Sequence, residues 1–308
     1  MSAATIDRIG IHPDTDVIVS TRGLTKRFGS FTALEDVTID LSRNRIYGLL
    51  GSNGAGKTTL MQVMTGQAFQ SSGEVALFGA TPHENARVLR EVSYIREGQC
   101  YPTDFKIKHV LSAARHLLRD WDEDFAQELL RDFDLPTDRK VKKLSRGMTS
   151  ALGVVIGLAS RAPLTFFDEP YLGLDAVARH LFYDRLLADY AENPRTIVLS
   201  THLIDEVADL LEHVILIDHG RIIADADADE LRESAIVVAG PSVDVDPFVG
   251  SRSELRRESM GNHTRVTLRS DSRSEDVAHA KALGLSVEPV SLQQLIVDTT
   301  TQQGKDPR

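Results

Sequence analysis

Apolar positions along this chain follow two rhythms. Short β-rich apolar runs alternate with longer segments whose apolar residues return every three or four positions, which predicts a mostly parallel α/β sheet. The predicted strands are VIVSTR from Val17, VTIDL from Val37, RIYGLL from Arg45, EVALF from Glu74, VSYI from Val92, LTFF from Leu164, TIVLS from Thr196 and VILID from Val214. Helical spacing fits Thr58 to Thr65, Lys108 to Leu118, Glu123 to Phe133, Arg146 to Ser160, Val177 to Tyr190 and Ile204 to Leu211. From about Lys106 to Lys143 the pattern is helical throughout, so this stretch reads as an insertion into the α/β body.

Past the turn His219-Gly220 the strand RIIA closes a hairpin, and ADADADELRES starts a short acidic helix. The pattern then shifts to strand-like AIVVAG and TRVTLR, helix-like SEDVAHAKALG, then LSVEPV and the periodic SLQQLIV. These pieces predict a small α+β domain over residues 231–308 that frays into the polar tail TTTQQGKDPR. The rest divides into an N-terminal tail, 1–16, and a main domain, 17–230, with its helical insertion at about 98–160. There is no internal repeat and no sustained heptad.

Composition narrows the classes. The 308 residues include 35 Lys and Arg against 45 Asp and Glu, a formal charge of −10, which argues against a partner held through a nucleic-acid backbone. Hydrophobic residues at 42% and charged ones at 26% are ordinary for a folded soluble domain. The uncharged apolar stretch Gly147 to Ser160, like the longer uncharged run Thr58 to Gly73, is shorter than the roughly 20 apolar residues of a membrane span. The start, MSAATIDRIGIHPDTD, lacks the basic and apolar regions of a secretory signal, so a cytoplasmic location is expected. The single cysteine, Cys100, excludes an internal disulfide or a multi-cysteine metal site.

Phosphate chemistry enters at GLLGSNGAGKTTL. Gly51, Gly56, Lys57 and Thr58 match G-x-x-x-x-G-K-[ST], with an apolar strand running in and a helix-forming segment running out. Glycine at 51, 54 and 56 lets successive N–H groups curl around a phosphate, and the following helix adds its positive end. The nucleotide loop therefore comprises Gly51, Ser52, Asn53, Gly54, Ala55, Gly56, Lys57, Thr58 and Thr59. Lys57 supplies charge to the outer phosphates, and the Thr58 hydroxyl suits Mg2+. A second element, LTFF followed by Asp168-Glu169, puts two carboxylates at the end of an apolar strand, where open α/β sheets bind ligands. Asp168 is then placed for Mg2+ and Glu169 for the general base that activates water. A third, Leu144-Ser145-Arg146-Gly147 at the head of a long apolar helix, is a serine-capped helix start that favours an anion.

Together, from about Val17 to Ala224, these motifs resemble the ATP-binding subunit of an ATP-binding cassette (ABC) transporter. The resemblance implies a P-loop NTPase fold with an ABC-type helical subdomain and β-subdomain, here followed by the small C-terminal α+β domain. It implies that Ser145 and Gly147 contact the γ-phosphate of ATP held by a second subunit, hence a homodimer or heterodimer. Arg146 and Met148 depart from the family's LSGGQ pattern. It further implies that Phe28 stacks on adenine, that His202 is the switch histidine touching the γ-phosphate, and that Asp175 lies at the dimer interface. Tyr171 and Leu172 replace the usual small or polar residues before that aspartate. The family glutamine that senses Mg2+ and meets the membrane partner falls by register on Glu97, with Gln99 two residues on; either could serve.

The function so implied is Mg-dependent ATP hydrolysis that powers a separately encoded integral membrane permease, with the chain peripheral on the inner face of the membrane. The LSRGM-type signature and the tryptophan-bearing insertion, RDWDEDFAQELL, resemble exporter ATPases. Two other classes compete. A soluble ABC-type ATPase acting on ribosomes or DNA would carry two cassettes or a long coiled coil, and a regulatory nucleotide-binding protein would not need Lys57, Asp168, Glu169 and His202 together. The transported substrate and the role of the C-terminal domain are not encoded in these motifs.

Overall fold

The computed structural model describes residues 16–270 and 272–303. The chain forms two compact units: one holds the residues up to His202 together with Ile215–Asp225, the other Leu203–Val214 and the residues from Ala226 onward.

In chain order the strands of the first unit are β1 (Val17–Phe28), β2 (Phe31–Ser42), β3 (Ile46–Leu50), β4 (Ser72–Leu77), β5 (Val92–Arg96), β6 (Leu164–Asp168), β7 (Thr196–Thr201), β8 (His213–Asp218) and β9 (Arg221–Asp227). Its helices are α1 (Lys57–Met64), α2 (Ala86–Leu89), α3 (Ile107–Leu117), α4 (Glu123–Asp132), α5 (Arg146–Ala159) and α6 (Ala176–Glu192). Six strands make one sheet in the order β5-β6-β7-β3-β8-β9, with β5, β6, β7 and β3 paired in parallel. A separate antiparallel sheet, β2-β1-β4, forms the β-subdomain. The fold is thus the mixed α/β arrangement of a P-loop NTPase.

Strands β3, β6 and β7 are buried at every position, which is why they read as continuous apolar runs rather than alternating ones. Packing around them joins the two sheets and α1: Leu49, Phe166, Val198 and Ile217 share a core cluster with Leu24, Leu41, Leu60 and Val63. Helix α5 is buried from Ala151 to Ala159, and glycine lets it lie close to the sheet: a Cβ at Gly157 would sit 2.5 Å from the Phe167 ring. That contact fixes the C-terminal end of α5 relative to the end of β6.

The second unit contains α7 (Ile204–Val207), α8 (Ala228–Glu233), β10 (Ala235–Pro241), α9 (Ser242–Val249), β11 (Glu254–Met260), β12 (His263–Arg269), α10 (Arg273–Ala282), β13 (Ser286–Glu288) and α11 (Leu292–Gln303). Its sheet, β11-β12-β10-β13, is antiparallel at each junction. Order and connectivity are those of the split β-α-β-β-α-β, ferredoxin-like motif. Its core is Ile236, Val238, Val266 and Leu268 from the sheet with Val245, Phe248 and Ala280 from α9 and α10. Composition placed the domain change at 230/231, but it gives no view of Leu203–Val214. That segment joins the second unit through Ala228 N–H donating to Glu212 O at 3.0 Å and the His213–Asp227 contact at 2.8 Å.

Candidate functional site

The P-loop begins where β3 ends, and two glycines are sterically required there. A Cβ on Gly51 would lie 2.2 Å from Ile217 O, and one on Gly56, whose φ is 114°, 2.8 Å from Ala33 O. Ala55 is buried and its carbonyl accepts from Gly220 N–H at 2.8 Å, which pins the middle of the loop to the β8–β9 turn. Lys57 opens α1 and is buried, its Nζ donating to Gly51 O at 2.8 Å and Ser52 O at 3.1 Å. The same Nζ lies 3.6 Å from Glu169 Oε1.

The opposite wall is the carboxyl edge of β6 and β7. Asp168 is buried and held at both oxygens: Ser200 Oγ donates to Oδ1 at 2.8 Å and Tyr94 Oη to Oδ2 at 3.3 Å. Burial, then the Asp168 charge, pushes the Tyr94 phenol well above its ordinary value, so it remains a donor. Glu169 takes a left-handed backbone, φ 49°, a cost of about 1–2 kcal/mol for a residue with a side chain. Its N–H donates to Ser200 O at 3.2 Å, which braces the turn. The turn aims the carboxylate at His202, whose Nδ1 is 2.8 Å from Oε2.

These groups enclose a cavity of about 660 Å³ lined by Asn53, Gly54, Gly56, Lys57, Thr58 and Thr59 on one side and Glu97, Asp168, Glu169, Leu172 and His202 on the other. Gly51, Ser52 and Ala55 support the loop from behind rather than line it. Glu97 faces this cavity, whereas Gln99 lies in an apolar groove beside it. Of the aromatic residues at the β1–β2 turn, Phe31 lines the cavity and Phe28 does not; Phe28 is 52% exposed with Lys26 Nζ 4.8 Å above its ring. Phe31 is Phe28's cross-strand partner over the Gly29-Ser30 turn, a neighbour that sequence spacing alone does not single out.

Ser145, Gly147 and Asp175 lie elsewhere in the same unit. Ser145 Oγ caps α5 by accepting from Met148 N–H at 3.2 Å, and Asp175 Oδ1 caps α6 by accepting from Ala178 N–H at 2.8 Å. Both caps and Gly147 line a second cavity of about 600 Å³, together with Arg146, Met148 and Gly173, and no residue is common to the two linings. A Cβ at Gly147 would meet Gly173 O at 2.7 Å, so glycine brings α5 against the loop that follows Glu169. Arg146, the residue that departs from the family signature, pairs with Glu97 at 2.7 Å.

The residues present suit a nucleotide triphosphate with a divalent cation. The first cavity offers a loop of backbone N–H groups, one buried ammonium, the exposed Thr58 hydroxyl, and Asp168 oxygens that each keep a further lone pair after accepting one hydrogen bond.

The ABC transporter family model matches residues 34–172. The doxorubicin resistance ATP-binding protein DrrA of Mycobacterium tuberculosis is 32% identical over 276 residues, covering 83% of this chain and 80% of that protein. The chain belongs to the ABC transporter ATP-binding family. The Nod factor export ATP-binding protein I of Ralstonia nicotianae is 32% identical over 220 residues, 70% of this chain and 68% of that protein. A solved ATP-binding subunit of an ABC transporter superposes with a TM-score of 0.63 at 26% identity, covering 70% of this chain and 92% of that one. This ABC subunit is therefore an ATP-binding protein of a transporter, and none of its described helices is long and apolar enough to cross a membrane.

One residue of this ABC subunit's site escaped the sequence reading as a participant. Tyr171, two residues after Glu169, is buried with its Oη 3.2 Å from Glu169 Oε2 and 3.1 Å from His202 Nδ1. Its only signal in the sequence is that an aromatic stands where the family has a small or polar residue.

Proposed function

We propose that this protein is a Mg-dependent ATPase that works as one of two ATP-binding subunits and drives a separate membrane permease, in the direction of export. The observation that carries the reading is the convergence of Lys57, Asp168, Glu169 and His202 on one cavity at the sheet's carboxyl edge. Lys57 would neutralise the outer phosphates. Thr58 and Asp168 would hold Mg2+, with Glu97 close enough to the same cavity to meet it through water. When bound, the ion would supply positive charge that offsets the charge developing on the phosphate oxygens.

Glu169 would take a proton from the attacking water while the bond between the β–γ bridging oxygen and the γ-phosphorus breaks and ADP leaves. His202 would present its Nε2 side to the γ-phosphate. Ser145 and Gly147 support the two-subunit reading, because in one chain they line a cavity that shares nothing with the P-loop cavity. The second nucleotide wall must then come from another copy or a related subunit.

For the permease, the apolar groove between β5 and α3 is the fitting surface. Phe105 and Leu117 on its rim are 42% and 71% exposed, and Tyr101 Oη is buried there without a hydrogen-bond partner among the described residues. Such a groove suits an amphipathic segment that offers one polar group, and it would hold the chain at the inner face of the membrane. Named relatives include export and resistance ATP-binding proteins, which favours export.

The test is a pair of variants. Lys57→Ala should abolish Mg-ATP binding, and Glu169→Gln should keep binding, drop turnover by at least about 100-fold, and accumulate a dimer in sedimentation with ATP. Normal turnover by Glu169→Gln would remove the assignment of the base. A chain that stays monomeric with ATP, both alone and with its permease, would remove the two-subunit reading.

A further inference from the structure

Behind Glu169 and His202 in the wall of the P-loop cavity sits a further group, beyond the four that the proposed chemistry uses. Tyr171 sits at 3% exposure with its hydroxyl at the centre of four contacts. Thr201 Oγ1 donates to Oη at 3.0 Å and the His202 backbone N–H donates to it at 3.3 Å. The phenol has two acceptor sites and one proton, so these two donors fill its acceptor capacity. Its own proton has two nearby destinations, Glu169 Oε2 at 3.2 Å and His202 Nδ1 at 3.1 Å.

The distance between those destinations decides which one receives it. Nδ1 and Oε2 are 2.8 Å apart, a separation that two lone pairs would not tolerate, so Nδ1 carries hydrogen and donates to the carboxylate. The phenol proton then goes to Oε2 as well. Oε2 thus holds two donors, and Oε1, on the Lys57 side of the carboxylate at 3.6 Å from Nζ, is the oxygen with lone pairs to spare. Nε2 of His202 has no hydrogen-bond partner among the described residues and belongs to the wall of the cavity.

We infer that Tyr171 is a positioning residue for hydrolysis: its hydroxyl locks the Glu169 carboxylate and the His202 ring into one arrangement that turns Oε1 toward water and Nε2 toward phosphate. The hydroxyl itself touches neither substrate nor reacting atoms. Burial pushes the phenol up to about 12, so it stays a donor throughout the neutral range. The inference rests on the ATPase reading above and names which atoms of that site act.

The test uses the purified full chain, Mg-ATP turnover, calorimetric binding of a non-hydrolysable ATP analogue, and 15N NMR of the His202 ring. Tyr171→Phe keeps the ring in place and removes only the hydroxyl. It should lower kcat about ten-fold while KM and analogue affinity stay within about two-fold, since only the orientation of the base is lost. The His202 Nδ1–H signature should weaken, because the phenol no longer holds the ring against Oε2. Thr201→Val, which removes a donor to the phenol without touching Glu169, should move kcat the same way by about three-fold, and it decides the matter if Tyr171→Phe does not fold. An unchanged kcat and an unchanged His202 spectrum in a folded Tyr171→Phe variant would overturn the positioning role alone. A wild-type chain that neither binds nor turns over Mg-ATP would overturn the ATPase reading, and this inference with it.

Discussion

The two cavities of the cassette are built from opposite materials. The P-loop cavity is walled by the buried side chains of Lys57 and Asp168 and backed by Tyr171; each is at 5% exposure or less and tied to fixed partners. The cavity around Ser145 is walled by helix ends, with caps at Ser145 and Asp175 and an exposed Arg146 between them. Side chains preorganised in a dry wall can orient a reaction within one chain. Helix ends offer N–H groups to an anion without buried charged side chains beside them, which is the form expected of a surface completed by a second subunit. Under the proposed function the first region would do the chemistry by position and the second would receive another subunit's nucleotide.

The sharpest way to break that distinction is to place one methyl group in each region. Gly51→Ala would drive Cβ into Ile217 O, 2.2 Å away, and should cost about 3 kcal/mol of stability as an overpacked site with no room to yield. It should also abolish nucleotide binding. Gly147→Ala meets Gly173 O at 2.7 Å and should cost about 1 kcal/mol, because α5 can shift at its exposed end. Binding of Mg-ATP to the single chain should survive, and turnover by the two-subunit assembly should fall about ten-fold. Denaturant unfolding with parallel calorimetry reads both variants. If Gly147→Ala weakens nucleotide binding as severely as Gly51→Ala, the two cavities are not separate sites.

Alkaline pH tests the same contrast through the phenols that only the first region contains. Tyr171 is pushed up to about 12 and Tyr94 also upward, each chiefly by burial. Below about pH 10, the ordinary phenol value, folded and unfolded chains are protonated alike and these groups add no pH dependence. Between about 10 and 12 the unfolded chain releases the Tyr171 proton while the fold retains it, so stability falls as pH rises. The slope is at most about 1.4 kcal/mol per pH unit for each phenol. Urea unfolding at pH 9, 10 and 11 should show the decline, and Tyr171→Phe should make it shallower. An identical slope in that variant would mean that the phenol is not held protonated by its surroundings.

What could be read in advance followed the same division. Asp168 and Glu169 were legible because a buried parallel strand spells itself as an unbroken apolar run and the first carboxylates after it must lie at the sheet edge. The P-loop was legible because its glycines answer local backbone demands. Tyr171 and Phe31 were not, since one is defined by neighbours thirty residues away on β7 and the other by a cross-strand pairing. In the second unit β11, ELRRESM, is an edge strand with a mostly exposed surface, so it carries no period-two alternation. Helix α9 was hidden by Pro247 inside it, and α11 runs into the stretch that composition marks as a polar tail. The ferredoxin-like order was therefore beyond the letters, although its strands AIVVAG and TRVTLR were plain.

The smallest effect concerns an ion pair that links the two cavities. Glu97 lines the first and Arg146 the second, and their side chains meet at 2.7 Å while 47% and 70% exposed. Such a solvated pair should show a coupling of only about 0.5 kcal/mol in a double-mutant cycle of Glu97→Gln and Arg146→Ala, shrinking as salt is added. Weakness here has a consequence. In the proposed two-subunit cycle the head of α5 would have to move against the P-loop wall, and a tether of this size would let go at little cost while still favouring one arrangement at rest. Two of the positions at which the sequence departs from the family pattern, Arg146 in the signature and Glu97 at the register of the family glutamine, are then halves of a single contact. A coupling above about 2 kcal/mol would contradict this, because it would make the two walls one rigid body.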